Sequence, residues 1–222
     1  MAPPWRVNTP LSLHLVRPCA VLLAGLPAGW LAARLASREA GAGDAVSAAV
    51  VTGVVSGAFL WSALQGPRDV PLAVASLLLA WALVSLAAVD AVAYRLPDIL
   101  TLPLLAAGLV ATLFMPGSPI LDHLAGAAVG WGALAALAWV YRRWRGIDGI
   151  GLGDAKLLGA AGAWLGWAAL PSVLLASCAA AFLWVAWRIV RRGQPALNER
   201  IAFGVPLCLA IWTVWLEGPL VV

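Results

Sequence analysis

Charge is the first thing this chain lacks. Of its 222 residues only 11% are Asp, Glu, Lys or Arg, against 63% hydrophobic, and the mean hydropathy is +0.94. A soluble domain of this length could not cover so much apolar surface, so a polytopic membrane protein remains. Cysteine is scarce as well. Cys19, Cys178 and Cys208 lie singly inside apolar runs, with no pair at metal-ligand or redox spacing, so no zinc site, other metal or cofactor is expected. The two histidines, His14 and His123, are expected on the outer side with no carboxylate at ligand spacing. Nor is there a continuous basic face: the net charge of +4 comes from short arginine clusters between apolar runs. Such clusters are topology signals, not a nucleic-acid surface. The first apolar run is too long for a signal-peptide core and has no small-x-small exit, so it is expected to remain as an uncleaved span.

What is present is a succession of apolar runs of helical length. Crossing about 30 Å of hydrocarbon takes roughly 20 helical residues. On that measure eight spans are expected, near 11–33, 45–64, 70–93, 99–116, 121–141, 150–167, 169–190 and 201–219. The connections are too short for a separate soluble domain. The expectation is an all-α membrane helix bundle forming one domain over 1–222, with neighbouring helices antiparallel. With the N-terminus outside, Arg34, Arg38, Arg95, Arg142, Arg143, Arg145, Arg188, Arg191, Arg192 and Arg200 fall on one side, and Arg6, Arg17 and Arg68 on the other. The arginine-rich side is therefore expected to be cytoplasmic.

Against this background two acids stand out. Asp90 lies near the end of the apolar run Val70–Ala93, and Asp154 follows three glycines in Gly149-Ile150-Gly151-Leu152-Gly153-Asp154-Ala155-Lys156-Leu157-Leu158. An ionisable group at the lip of a membrane helix costs free energy unless it is paired, hydrated or used. Asp90 lies five residues before Arg95 and Asp154 nine after Arg145. Both therefore fall within about 10 Å of the same cytoplasmic surface at a rise of about 1.5 Å per residue. Two carboxylates at one depth cannot both ionise cheaply. One keeps a proton and can polarise a carbonyl, while the other can take a proton from water, which is the chemistry of peptide hydrolysis without metal or covalent intermediate. Glycine at 149, 151 and 153 would let a neighbouring helix or an extended substrate come close.

These residues carry a resemblance. Asp90 followed by Leu96-Pro97-Asp98 and Leu102-Pro103-Leu104, then Gly151-Leu152-Gly153-Asp154-Ala155-Lys156-Leu157-Leu158 with Gly162-Ala163-Trp164-Leu165-Gly166, resembles the type IV prepilin peptidases, which are GxGD aspartyl proteases. Phe203-Gly204-Val205-Pro206 looks like that family's last-helix motif, and the match covers about residues 70–215. The resemblance implies that Asp90 and Asp154 are the catalytic pair. Pro97, Asp98, Gly151, Gly153, Lys156, Gly204 and Pro206 are then expected in supporting or substrate-binding roles. It implies a prepilin or pseudopilin substrate, with a short basic leader and a hydrophobic helix after the cut, processed at the prokaryotic cytoplasmic membrane. Presenilin-like proteases share the Gly-x-Gly-Asp element but lack the Leu-Pro-Asp and Asp-x-Lys-Leu context.

Larger members that look like this carry a cytoplasmic insert with paired cysteines after the first span and N-methylate the trimmed pilin. Here that place holds only Arg34–Asp44, so a peptidase without methyltransferase activity is expected. Asp98 is read as a helix cap after the proline turn. Lys156, about 200° round a helix from Asp154, is read as a residue off the acid's face that snorkels to headgroups or steers the site electrostatically. Asp148, Glu199 and Arg200 are read as loop charges able to meet a leader peptide, Cys208 as a core residue and Trp164 as a packing residue. A rival reading is a small proton- or ion-coupled carrier using the same two aspartates. Such carriers usually hold their acids near the midplane.

Overall fold

In lipid a backbone N–H must find its partner within its own segment, so apolar runs become helices and turns are left to the residues that break them. A computed structural model of the chain describes residues 27–31, 34, 38, 51, 54–58, 70–115, 117–146, 151–192 and 201–219. The described residues are helical, with no strand among them. The helices are α1 (Val70–Ala93), α2 (Asp98–Ala111, extended by a 3-10 turn at Thr112–Phe114), α3 (Ile120–Arg145), α4 (Leu152–Leu165), α5 (Leu170–Arg192, preceded by a 3-10 turn at Trp167–Ala169) and α6 (Gly204–Glu217). Pro97 and Pro119, both extended, start α2 and α3, where a missing N–H costs nothing. Gly146, at φ 70°, ends α3 by donating its N–H to the Arg142 carbonyl.

Among the described residues, three helices are long and apolar enough to cross a membrane, over Pro71–Ala93, Ile120–Arg145 and Trp167–Arg191, while Asp98–Phe114 and Gly204–Glu217 are shorter apolar helices. The helices found at the expected spans 99–116, 150–167 and 201–219 are shorter, with α2, α4 and α6 at 14 residues each. α4 has 14 residues and measures about 21 Å at about 1.5 Å per residue. Gly166, at φ 80°, breaks the chain there before it re-forms as the 3-10 turn leading into α5. The expected spans 11–33 and 45–64 lie mostly outside the described residues, as do Arg6, Arg17, Arg68, Cys19 and His14. Residues 27–31 and 54–58, within those two spans, are helical.

α4 can be short because it is the centre of the bundle and not part of its wall. Nine of its residues, from Ala155 and Leu157 to Trp164, are buried. It packs most extensively on α3 and α2, while α6 packs on α1 and α5. The α3–α4 contact is backbone on backbone. A Cβ at Gly162 would overlap the Gly126 carbonyl, and one at Gly130 would lie 2.5 Å from the Leu158 carbonyl oxygen. Only glycine permits that approach. Trp164, 2% exposed, then ties three elements together. Its Nε1 donates to the Leu104 carbonyl at 2.8 Å, and its ring meets Trp215 edge-on with centroids 5.5 Å apart. Trp215 in turn donates to Ser76 Oγ on α1 at 2.9 Å. His123 is buried in α3, with Nδ1 3.0 Å from the Ala163 carbonyl oxygen. α5 shows the opposite pattern, with Phe182, Leu183, Trp184 and Val190 all exposed, as a lipid-facing helix requires.

Candidate active site

Asp90 and Asp154 lie at one end of this bundle, in the last turn of α1 and the first turn of α4. Asp90 occupies the last turn of α1, where it is 5% exposed. Its carboxylate faces the backbone N–H groups of Gly204 and Val205 at the start of α6. A negative charge is favoured there by the helix dipole as well. Yet Asp90 Oδ2 is buried and accepts no hydrogen bond among the described residues. Such an oxygen is rare in a folded protein and points to a group kept for use.

Asp154 lies half-buried in the first turn of α4. Gly151 holds the N-cap position with extended backbone, and its carbonyl accepts the Asp154 N–H at 3.2 Å. The carboxylate folds back over that turn, so that a Cβ on Gly151 would lie 3.1 Å from Asp154 Oδ2. Asp154 is close enough to Asp90 for the two charges to repel. Cys208, one turn into α6 and buried, lies within electrostatic reach of both acids, so this helix backs the pair.

One residue, named in the Leu-Pro-Asp motif but given no role there, joins the two acids' surroundings. Leu96, buried in the turn between α1 and α2, sits 3.1 Å from where a Gly153 Cβ would be and 3.2 Å from where a Gly204 Cβ would be. A Cβ at Gly204 would also approach Asp90 Oδ2 to 2.7 Å. The two glycines are therefore missing side chains that would push Leu96 and Asp90 aside. The signal of Leu96 in the sequence was its place in the Leu96-Pro97-Asp98 motif.

The remaining expected residues are placed as follows. Pro97, and not Asp98, holds the cap position of α2, with no side chain capping the helix; Thr101 Oγ1 donates to the Pro97 carbonyl at 3.0 Å. Asp98 is the first helical residue, and its carboxylate is occupied by another partner. Lys156 Nζ donates to both its oxygens, at 2.7 and 2.8 Å. The cap reading of Asp98 is thus corrected, and Lys156 turns toward α2. Pro206, in the first turn of α6, lines an apolar groove of about 590 Å³ with Ala91, Tyr94, Trp184 and Leu209, which opens beside Asp90. Gly149, Asp148, Glu199 and Arg200 lie outside the described residues.

The chain is similar to known proteins over this region. Residues 77–186 match the model of the type IV leader peptidase family. A prepilin leader peptidase/N-methyltransferase of Aeromonas salmonicida (strain A449) is 42% identical over 145 residues, covering 65% of this chain and 50% of the relative. The Pseudomonas aeruginosa protein of that name is 40% identical over 145 residues, covering 65% of this chain and 49% of the relative. One from Klebsiella pneumoniae is 46% identical over 112 residues, covering 50% and 49%. The chain spans about half the length of these curated relatives. No solved structure matches it. Through residues 77–186, the stretch that holds both acids, this chain belongs to the type IV leader peptidase family.

Proposed function

We propose that this protein is a membrane aspartyl endopeptidase that removes the leader from prepilin-like substrates, with Asp90 and Asp154 as its catalytic pair. The observation that carries the reading is the convergence of two acids from separate helices, one of them with a buried oxygen that has no partner among the described residues. One carboxylate stays charged and takes a proton from a water molecule, whose oxygen attacks the scissile carbonyl carbon. The other, protonated, donates to the carbonyl oxygen. Collapse of the tetrahedral intermediate breaks the C–N bond, and the departing nitrogen takes a proton from the pair.

The site's place at the cytoplasmic face of a prokaryotic inner membrane belongs to the same proposal. It is supported by Arg95, Arg142, Arg143, Arg145, Arg188 and Arg191, all at the end of the bundle that holds the acids. A basic leader in the cytoplasm would meet the site at that depth. The substrate class rests on the relatives, which are named as prepilin leader peptidases. No observation favours a carrier.

The test is co-expression of the full chain with a prepilin-like substrate, scoring leader removal by mobility. Asp90→Asn and Asp154→Asn are each expected to lower cleavage by at least about a thousandfold, equivalent to about 4 kcal/mol of transition-state stabilisation. Retention of wild-type cleavage by either variant would remove that residue from the pair. The cleaved product is expected to carry a free amine, since the segment Arg34–Asp44 holds no cysteine pair. A methylated terminus in a host without another methylase, seen by mass spectrometry, would overturn this part.

A further inference from the structure

The turn between α1 and α2, together with the first residue of α2, touches α4 at two points, and both contacts are made by one face of that helix. Gly153 and Lys156 are three residues apart and so share a face. Gly153 lies against Leu96, and Lys156 grips Asp98 with both carboxylate oxygens, at 2.7 and 2.8 Å. Asp154 is the next residue round the helix from Gly153, about 100° away. Whatever fixes the rotation of α4 about its axis therefore aims the Asp154 carboxylate.

The turn is well suited to serve as the fixed member. Tyr94 takes a left-handed φ of 52°, uncommon for a residue with a side chain, and its N–H returns to the Asp90 carbonyl at 3.0 Å. Pro97 then restricts the backbone before α2. The turn is thereby tied to the backbone of Asp90 itself. Leu96 extends from it to Gly204 as well as to Gly153, so one side chain spaces both acid-bearing regions.

We propose that the α1–α2 turn is a two-point clamp that sets the rotation of α4, with Leu96 and the Lys156–Asp98 pair as positioning residues that hold Asp154 toward Asp90. The proposal rests on the reading of Asp90 and Asp154 as the reacting pair. The ion pair is partly exposed, with side chains 33% and 55% accessible. Exposed pairs add little to stability. A misplacement of about 1 Å at a reacting group, in contrast, can cost about a hundredfold in rate. Loss of the pair should therefore leave the protein folded and slow it.

The experiment is a double-mutant cycle on the full chain in membranes, with kcat and KM measured separately on a prepilin-like substrate and Asp154→Asn as the inactive control. Lys156→Met and Asp98→Asn are each expected to lower kcat about 10- to 100-fold with KM changed less than about threefold. The double variant should be no slower than either single one. Lys156→Arg should keep most of the activity, and the exchanged pair, Asp98→Lys with Lys156→Asp, should recover much of what the single variants lose. Leu96→Ala should lower kcat and Leu96→Met should retain it. Wild-type kcat in Asp98→Asn, effects that multiply in the double variant, or losses confined to KM would each overturn the clamp, the last by assigning Lys156 to substrate steering. If Lys156→Met fails to accumulate, Asp98→Asn and the exchanged pair decide the matter. A wild-type chain that cleaved nothing would overturn the peptidase reading and the clamp together. Cleavage that is lost in Asp154→Asn but untouched by the clamp variants would overturn the clamp alone.

Discussion

Glycine serves two regions of this protein for different reasons. In the α3–α4 seam, an added Cβ at Gly126, Gly130 or Gly162 would strike backbone carbonyls. Backbone cannot swing away, so the helices themselves would have to part. At the site, an added Cβ at Gly151 or Gly204 would meet the carboxylate of Asp154 or Asp90. Side chains can move, and the helices could stay where they are. The seam glycines hold α4 in the bundle, whereas the site glycines leave two acids and one leucine where chemistry needs them. The same residue type thus reports on stability in one place and on geometry in the other.

The sharpest way to break this comparison is at Gly162. Gly162→Ala is expected to cost on the order of 3 kcal/mol of stability through overpacking, read as a lowered unfolding temperature in detergent, with cleavage per folded molecule near wild type. A fully stable variant with impaired cleavage would show that the seam also acts on the site. Gly204→Ala should give the complementary result. Its Cβ would displace Asp90, so kcat should fall roughly a hundredfold while stability changes by only about 1 kcal/mol. Thermal unfolding alongside single-turnover cleavage separates the two, and a large stability loss with normal turnover would move Gly204 into the seam's class. The smallest effect is expected at Gly132, which has open space where a Cβ would go. Gly132→Ala should leave stability and cleavage within about 1 kcal/mol of wild type, and a larger loss in either measurement would mean that glycine content as such, and not close approach, is what the bundle requires.

Much of the fold was legible because a membrane chain has few options: apolar runs must be helical, and prolines and glycines must end them. The boundaries of α1, α3 and α5 follow closely from hydropathy, Pro97, Pro119 and Gly146. That the run 150–167 holds a short, enclosed helix was not legible, because hydropathy cannot distinguish a helix exposed to lipid from one enclosed by other helices. α4 is the second kind and stops at Gly166. Asp98 was read as a cap because an acid before an apolar run usually is one. Its partner is 58 residues away on another helix, a distance that no local signal spans. Leu96, named only as part of the Leu-Pro-Asp motif, could be given no role for the same reason, since its meaning lies in two glycines on α4 and α6.

The sequence by itself determined that this is a membrane protein made of helices and that Asp90 and Asp154 are misfits within it, because the cost of charge in an apolar run is a local property. Only the tertiary structure decided that α4 is enclosed, that Asp90 faces the start of α6, and that a leucine and an ion pair grip the helix bearing Asp154. Those are contacts between segments far apart in the chain, and close packing of particular side chains, not composition, selects them.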